Sequence, residues 1–359
     1  MAKLPKILAR IIYGIFLLPL VLITFYIWAW FIAAQSLKSY WPTLNKKMNI
    51  NGVVADLPTS INIQGFPFNF VITIPGIKLG YKNGHAPWLL SADRIDVLID
   101  FLRPMAFEVR IHKARQEFLL PHQPAMLIAT MHISNKLNTD GRLDNMVINI
   151  TDWKMVQPLY LEHPFPLSVR RAEIMINHKE NNQEWSVNTQ LHDIAVSAMP
   201  TSLVSSPIKL MRFHASVSNV GQGKNFIDYL LSWQKNNGQI VFHQFEMTTE
   251  KWAISSDNIL LQLDQQLQPI ARINLVLYDY KAFVNGLLNS ELANIDIKER
   301  IQEAVRLLAA AQGNTAQNKL AVRMLIENKN LSVGPISIYT MPNLNWNYLQ
   351  NFIPKSLKK

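Results

Sequence analysis

Twenty-four residues without a charge, Ile11 to Ala34, stand between Arg10 and Lys38. A helix of that length, at about 1.5 Å per residue, crosses the roughly 30 Å hydrocarbon core of a bilayer. The run therefore predicts a membrane-spanning anchor and divides the chain into anchor and body. Pro19 falls mid-span, where lipid-embedded helices tolerate it. Tyr26, Trp28 and Trp30, then Tyr40 and Trp41, gather at the distal end, which predicts the far headgroup interface. Lys3, Lys6 and Arg10 precede the span closely, while Lys38, Lys46 and Lys47 follow it more loosely. That balance predicts a cytoplasmic N-terminus and an exported body. Two alternatives stand beside this reading. A cleaved signal peptide has a core of about 7–15 apolar residues and a small-x-small site; here the core is longer, and Ile32 would fill one of the small positions before Ala34. The other is a buried helix of a soluble protein.

The body alternates with period two. Phe68, Phe70, Ile72 and Ile74 share one face, and so do Ile95, Val97 and Ile99, and then Phe107, Val109 and Ile111. The pattern returns at Trp185–Leu191, Val241–Met247, Ile259–Leu263 and Ala271–Leu277. Such alternation, punctuated by Asn83-Gly84, Asp140-Gly141, Asn237-Gly238 and Gly334-Pro335, predicts half-buried antiparallel strands. Helix is expected at Asn225–Lys235 and at Ile297–Gln312. In the second, Asp296 and Glu299 form a capping box, Ile301, Ala304, Val305 and Leu308 an apolar stripe, and Gly313 the C-terminal stop. The fold class expected is mainly β (α+β): a transmembrane helix, then a large antiparallel body with a few packed helices.

An internal repeat is also expected. Phe66-Pro67, Ile77, Ile95, Val97, Pro104 and Arg110-x-His112 recur in order as Phe165-Pro166, Ile176, Ile194, Val196, Pro207 and Arg212-x-His214. The organisation read from these signals is 1–37 tail and anchor, 38–59 tether, 60–220 two duplicated β-units, 221–345 a third unit with helices, and 346–359 a basic tail. Serial units of this kind stack into a continuous sheet.

Charged residues make up only 17% of the chain and hydrophobic ones 49%, against about 25% charged in ordinary globular proteins. A large core, or a surface that meets something apolar, follows. The absence of cysteine removes disulfides, thiolate metal sites and cysteine nucleophiles. The net charge of +10 is spread through the chain; behind an anchor it reads as attraction to anionic lipid or as a solvated surface rather than as a nucleic-acid footprint.

No motif for a nucleophile, a zinc site, a phosphate loop or a calcium loop is present, so no catalytic, cofactor-binding or metal residue is assigned. Gly221-Gln222-Gly223 lacks the third glycine of a dinucleotide loop and reads as a turn. His112, His122 and His132 are evenly spaced without a reason to converge, and His112 and His214 belong on solvated faces. Asp96 and Asp100 share strand parity without an evident partner. Trp88, Trp153, Trp185, Trp233 and Trp252 fit core positions.

Gly65-Phe66-Pro67-Phe68, Trp88, Ile95–Ile99, Gly238-Gln239-Ile240, the Leu261–Leu277 strands around Gln268-Pro269, and the closing Leu331-Ser332-Val333-Gly334-Pro335-Ile336 together resemble the proteobacterial domain of unknown function 2125 family. The resemblance covers nearly all the chain after the anchor. It departs at Ile338–Pro342, where members tend to repeat Gly-Pro. The family has no established activity, so it implies no catalytic residue. It implies an anchored, β-rich protein of the bacterial envelope, single-pass in the inner membrane with its bulk in the periplasm. More loosely, an anchor followed by serial β-units is similar to AsmA-like envelope proteins, which are discussed as lipid conduits. The function expected is non-enzymatic: binding or conveying membrane lipid, or another apolar ligand, along a β-groove. The alternative is a scaffold that binds an envelope partner protein.

Overall fold

The computed structural model describes residues 24–43, 53–81, 88–118, 125–138, 140–141, 143–156, 167–179, 184–196, 207–219, 226–290, 295–313, 318–344 and 346. A helix over 24–43, α1, leads to β1 (Val53–Asp56) and β2 (Asn62–Gln64). Long strands follow: β3 (Asn69–Tyr81), β4 (Trp88–Asp100), β5 (Arg103–Phe118), β6 (Ala125–Leu137), β7 (Leu143–Val156), β8 (Leu167–Lys179), β9 (Glu184–Val196) and β10 (Ile208–Ser218). Helix α2 (Phe226–Lys235) precedes β11 (Gln239–Thr248), β12 (Ala253–Ser256), β13 (Ile259–Leu263) and β14 (Pro269–Tyr278). Helices α3 (Tyr280–Leu288) and α4 (Ile295–Ala311) then lead to β15 (Lys319–Glu327), β16 (Asn330–Val333) and β17 (Ile336–Thr340).

Among the described residues all the strands belong to one 17-stranded sheet. From β3 to β11 each strand pairs antiparallel with the next. At one edge β1 and β2 sit end to end against β3. Toward the other, β12 and β13 bridge β11 to β14, and β15, β16 and β17 complete the meander. The pairing of β10 with β11 runs through nine residue positions, so the unit boundary expected near residue 220 coincides with α2 and not with a break in the sheet.

A single fault line crosses the long strands. Gly76, Lys113, Asp152 and Asp193 take left-handed backbone, with φ of 58°, 49°, 48° and 52°. They lie on β3, β5, β7 and β9, every second strand, and the ladder skips one position at each. A left-handed residue rotates the strand about its axis, so the alternation slips by one and residues i and i+3 come to one face. The pairs are Ile74 and Ile77, Ile111 and Ala114, Ile150 and Trp153, and Leu191 and Ile194. Between them, Ala92 and Ile95, Ile128 and Met131, Val169 and Ala172, and Ile208 and Met211 follow suit. The residues on the line carry alternating charge: Lys113 Nζ lies 3.5 Å from Asp93, and Arg170 Nη1 lies 3.7 Å from Asp193.

The regular unit of this sheet is therefore the pair of adjacent strands, since the left-handed residue recurs on every second one. The expected repeat of roughly 100 residues, from Phe66 to Phe165, relates β3 to β8 and β5 to β10. Each pair is five strands apart, so in an antiparallel meander the related strands run in opposite directions.

Helix α2 spans Phe226–Lys235, as the sequence suggests. Helix α4 begins at Ile295, and Asp296 lies in its first turn instead of capping it, where its charge still complements the helix dipole. Gly313 ends it at φ 63°. Helix α3 was not foreseen. Its nine residues follow β14 directly through Asp279, which takes φ 53° and makes no side-chain cap hydrogen bond.

The apolar run divides. Residues 11–23 lie outside the described residues, and residues 24–34 open α1. Among the described residues no helix is long and apolar enough to cross a membrane. Trp30, expected at a headgroup interface, is instead 4% exposed and packs with Ala34 on Ile63, Phe70 and Ile72. The helix continues to residue 43, and Trp41 Nε1 donates to the Pro58 carbonyl at 2.8 Å. Part of the expected tether thus belongs to the body.

Candidate functional site

Cross-strand register builds the site from the alternation. Ile72, Val97, Val109, Ile133, Ile148, Ile174, Thr189, Phe213 and Phe245 pair in succession from β3 to β11. Eight of the nine are apolar. A parallel row runs beside it: Ile74, Ile95, Ile111, Met131, Ile150, Ala172, Leu191, Met211 and Met247. Across the fault line Ala114, Ile128, Trp153, Val169, Ile194 and Ile208 form a third. At about 4.8 Å between neighbouring strands, nine strands make a row on the order of 40 Å long.

The opposite face has the opposite chemistry. Thr73, Asp96, Arg110, His132, Asn149, Glu173, Gln190, Arg212 and Glu246 pair in the same succession. The sheet is amphipathic from β3 to β11, and an apolar sheet face must be covered by something.

Protein covers the two ends of the apolar face. At the β3 end, α1 lies over the start of the rows: Trp30 and Ala34 cluster with Phe70 and Ile72, and Ile74, Val97, Ile99 and Phe101 pack around them. Its seat is the Gly65-Phe66-Pro67-Phe68 motif. The Tyr26 hydroxyl donates to the Pro67 carbonyl, and Trp30 Nε1 donates to the Asn69 carbonyl at 3.3 Å. Trp30 stacks on Phe70 at 5.1 Å and meets Phe66 edge-on at 5.4 Å. Gly65 has φ 100°, and a Cβ there would lie 2.6 Å from the Asn69 oxygen, so glycine is required. At the other end, Phe245 and Met247 pack into the core formed by Trp252, Ile254, Leu277, Tyr280, Val284, Leu320 and Val322 under α3 and α4.

The middle differs. No residue of β6 or β7 is buried, on either face. Ile133, Ile148 and Ile150 remain half-exposed among the described residues. An apolar surface this extensive, left partly open, marks an interaction site.

The polar face holds the titratable clusters. Asp96 accepts from Thr73 Oγ1 at 2.9 Å, pairs with Arg94 at 3.0 Å and meets His112 Nε2 at 3.3 Å. Arg94 is on the same strand, whereas Thr73 and His112 come from β3 and β5, which is why spacing along the sequence did not reveal them. Glu108 contacts His132 Nε2 at 3.0 Å and Arg110 at 3.2 Å. The hydrogen bond from His132 holds the Glu108 carboxyl below its ordinary value against the opposing effect of burial, and Arg110 adds a smaller lowering. Ser216 and His243 lie 2.9 Å apart, and His214 is exposed beside them. Among the described residues no three His, Asp or Glu side chains gather as a metal site. His122 and Gly221-Gln222-Gly223 lie outside the described residues.

Of the five tryptophans assigned to the core, Trp233 and Trp252 are buried and Trp88, Trp153 and Trp185 are half-buried. The remaining sequence motifs are joints. Gly238 donates its N–H to the Trp233 carbonyl at 2.7 Å, so close to the Trp233 ring that a Cβ would sit 2.1 Å from it. Gln268 Oε1 accepts from the Leu344 N–H at 2.9 Å, tying the C-terminal segment to the β13–β14 turn. Gly334 turns β16 into β17 at φ 57°.

No curated protein matches the chain. A family model matches residues 30–342, from the middle of α1 to just past β17. The residues that seat α1, the Trp233–Gly238 contact and the Gly334 turn all fall within that match, and the chain belongs to the family described as "Uncharacterized protein conserved in bacteria (DUF2125)".

Proposed function

We propose that this chain is a non-enzymatic, membrane-anchored protein of the bacterial envelope that binds or conveys a lipid, or another apolar ligand, along the apolar face of its sheet. One observation carries the reading: the apolar rows begin under α1, the helix that continues the N-terminal apolar run, and cross strands β6 and β7 without a buried residue. A ligand of hydrocarbon character satisfies such a face without asking for hydrogen bonds. The polar face turns the other way, toward solvent. In this reading residues 11–34 hold the body at the membrane that supplies the ligand, and the body lies in the periplasm.

The test is native mass spectrometry with lipid extraction on protein purified from membranes in mild detergent. The expected result is stoichiometric phospholipid in the wild type and its loss in Ile148→Glu, a substitution at the open middle of the rows. A clean ligand-free mass, together with failure of the delipidated protein to take up a two-chain phospholipid probe, overturns the reading. It would turn attention to a scaffold role and to cross-linked partner proteins.

A further inference from the structure

We propose that the cavity between the sheet and helices α3 and α4 binds a single acyl chain that carries a zwitterionic head, the chemistry of a lysophospholipid. The cavity encloses about 320 Å³, close to the lower end of the roughly 300–1,000 Å³ typical of small-ligand sites. Every described residue lining it is apolar, including Phe283 and Leu287 of α3, Ile301, Ala304 and Leu308 of α4, and Met324 of β15. Water entering such a space finds no polar partner, and an engineered apolar cavity of only about 150 Å³ stays dry and takes up benzene. The space takes most of one acyl chain and cannot take the pair of a phospholipid.

A polar recess of about 450 Å³ adjoins the cavity and shares Leu275, Leu308 and Val322 with it. Arg323 and Asp257 line this recess together with Asn258 and Asn274. Both charged side chains belong to exposed residues, and among the described residues neither forms an ion pair. One cation and one anion beside an apolar hole match a head that carries a phosphate and an ammonium group. The chain lies in the cavity, the phosphate meets Arg323 and the ammonium meets Asp257. Met247 packs against both the β8–β10 core and the core around the cavity, so the site adjoins the far end of the apolar rows. It does not depend on those rows carrying lipid.

The test uses the full chain in amphipol, delipidated and titrated calorimetrically with palmitoyl-lysophosphatidylethanolamine. One-to-one binding is expected. Ala304→Phe, which fills the cavity, should weaken it at least about tenfold with an unchanged or raised thermal midpoint, while Ile148→Glu leaves it intact. Asp257→Asn should weaken this ligand and leave palmitate binding unchanged. A chain-diazirine analogue on the wild type should cross-link to α4 and β15. Wild-type affinity in Ala304→Phe would overturn the site, as would cross-links confined to β6 and β7 or loss of binding in Ile148→Glu. Equal effects of Asp257→Asn on both ligands would overturn the assignment of the head.

Discussion

Lys113, Asp152 and Asp193 hold left-handed backbone in the middle of long strands, where a side chain costs of order 1–3 kcal/mol. Glycine avoids that strain but loses more entropy on folding. Lys113→Gly is expected to raise stability by a few tenths to about 1 kcal/mol, because the exposed Lys113–Asp93 pair contributes little. Lys113→Val should lower stability by more than that gain, since a β-branched residue resists positive φ. Denaturant midpoints of the two variants check the sign. Glu108 offers a second test. Its carboxyl is held below the ordinary value by His132 and Arg110, so its contribution is present above the unfolded value of about 4.3 and fades as pH falls through the lowered folded value. The group is well exposed, so the effect is on the order of 0–1 kcal/mol. Glu108→Gln should flatten the stability–pH curve only on that acid limb, as read by urea unfolding at a series of pH values.

Among the elements, α1 is the one whose role the structure changes. Trp30 is buried, stacked and hydrogen-bonded, and it sits on residues from β2 and β3. Trp30→Ala removes that contact at an expected cost of about 3–5 kcal/mol. Circular dichroism during denaturation should report the loss, and limited proteolysis should cut between α1 and β1 far sooner than in the wild type. Gly65→Ala should act in the same direction, because the new Cβ collides with the backbone that seats the helix. Helices α3 and α4 do at one end of the sheet what α1 does at the other. They cover apolar strands, but around Ala304 they leave the cavity.

Across the whole molecule, antiparallel pairing multiplies a local pattern. One residue of alternation in each strand becomes a row that runs across nine strands, because each partner stands opposite its equivalent. The fault line keeps that correspondence: every strand from β3 to β10 slips by the same single residue at the same height. A slip confined to one strand would reverse its faces. Ile148→Glu tests the scale of the effect. It places a charge at the open middle of the apolar face, so uptake of a two-chain phospholipid probe should fall sharply while the thermal midpoint moves little, since Ile148 is not buried. A large drop in midpoint would mean that protein covers this position.

The alternation, the turn residues and the apolar stripe of α4 were legible in the sequence, because each follows from neighbours a few residues apart. They determined a mainly antiparallel β body with α2 and α4 where they are found. The sequence motifs Gly65-Phe66-Pro67, Asn237-Gly238 and Gly334-Pro335 were legible as punctuation, since positive φ and fixed φ are properties of single residues. What they join was not. Only the tertiary structure decided that Gly65 seats α1, that Trp30 packs on Phe70, and that Asp96 gathers Thr73 and His112 from the strands on either side of it. Only it decided that the apolar faces align into continuous rows with a cavity at one end. Those facts depend on register between segments distant in the chain, and one chain's periodicity specifies which residues share a face without specifying which residues stand opposite them.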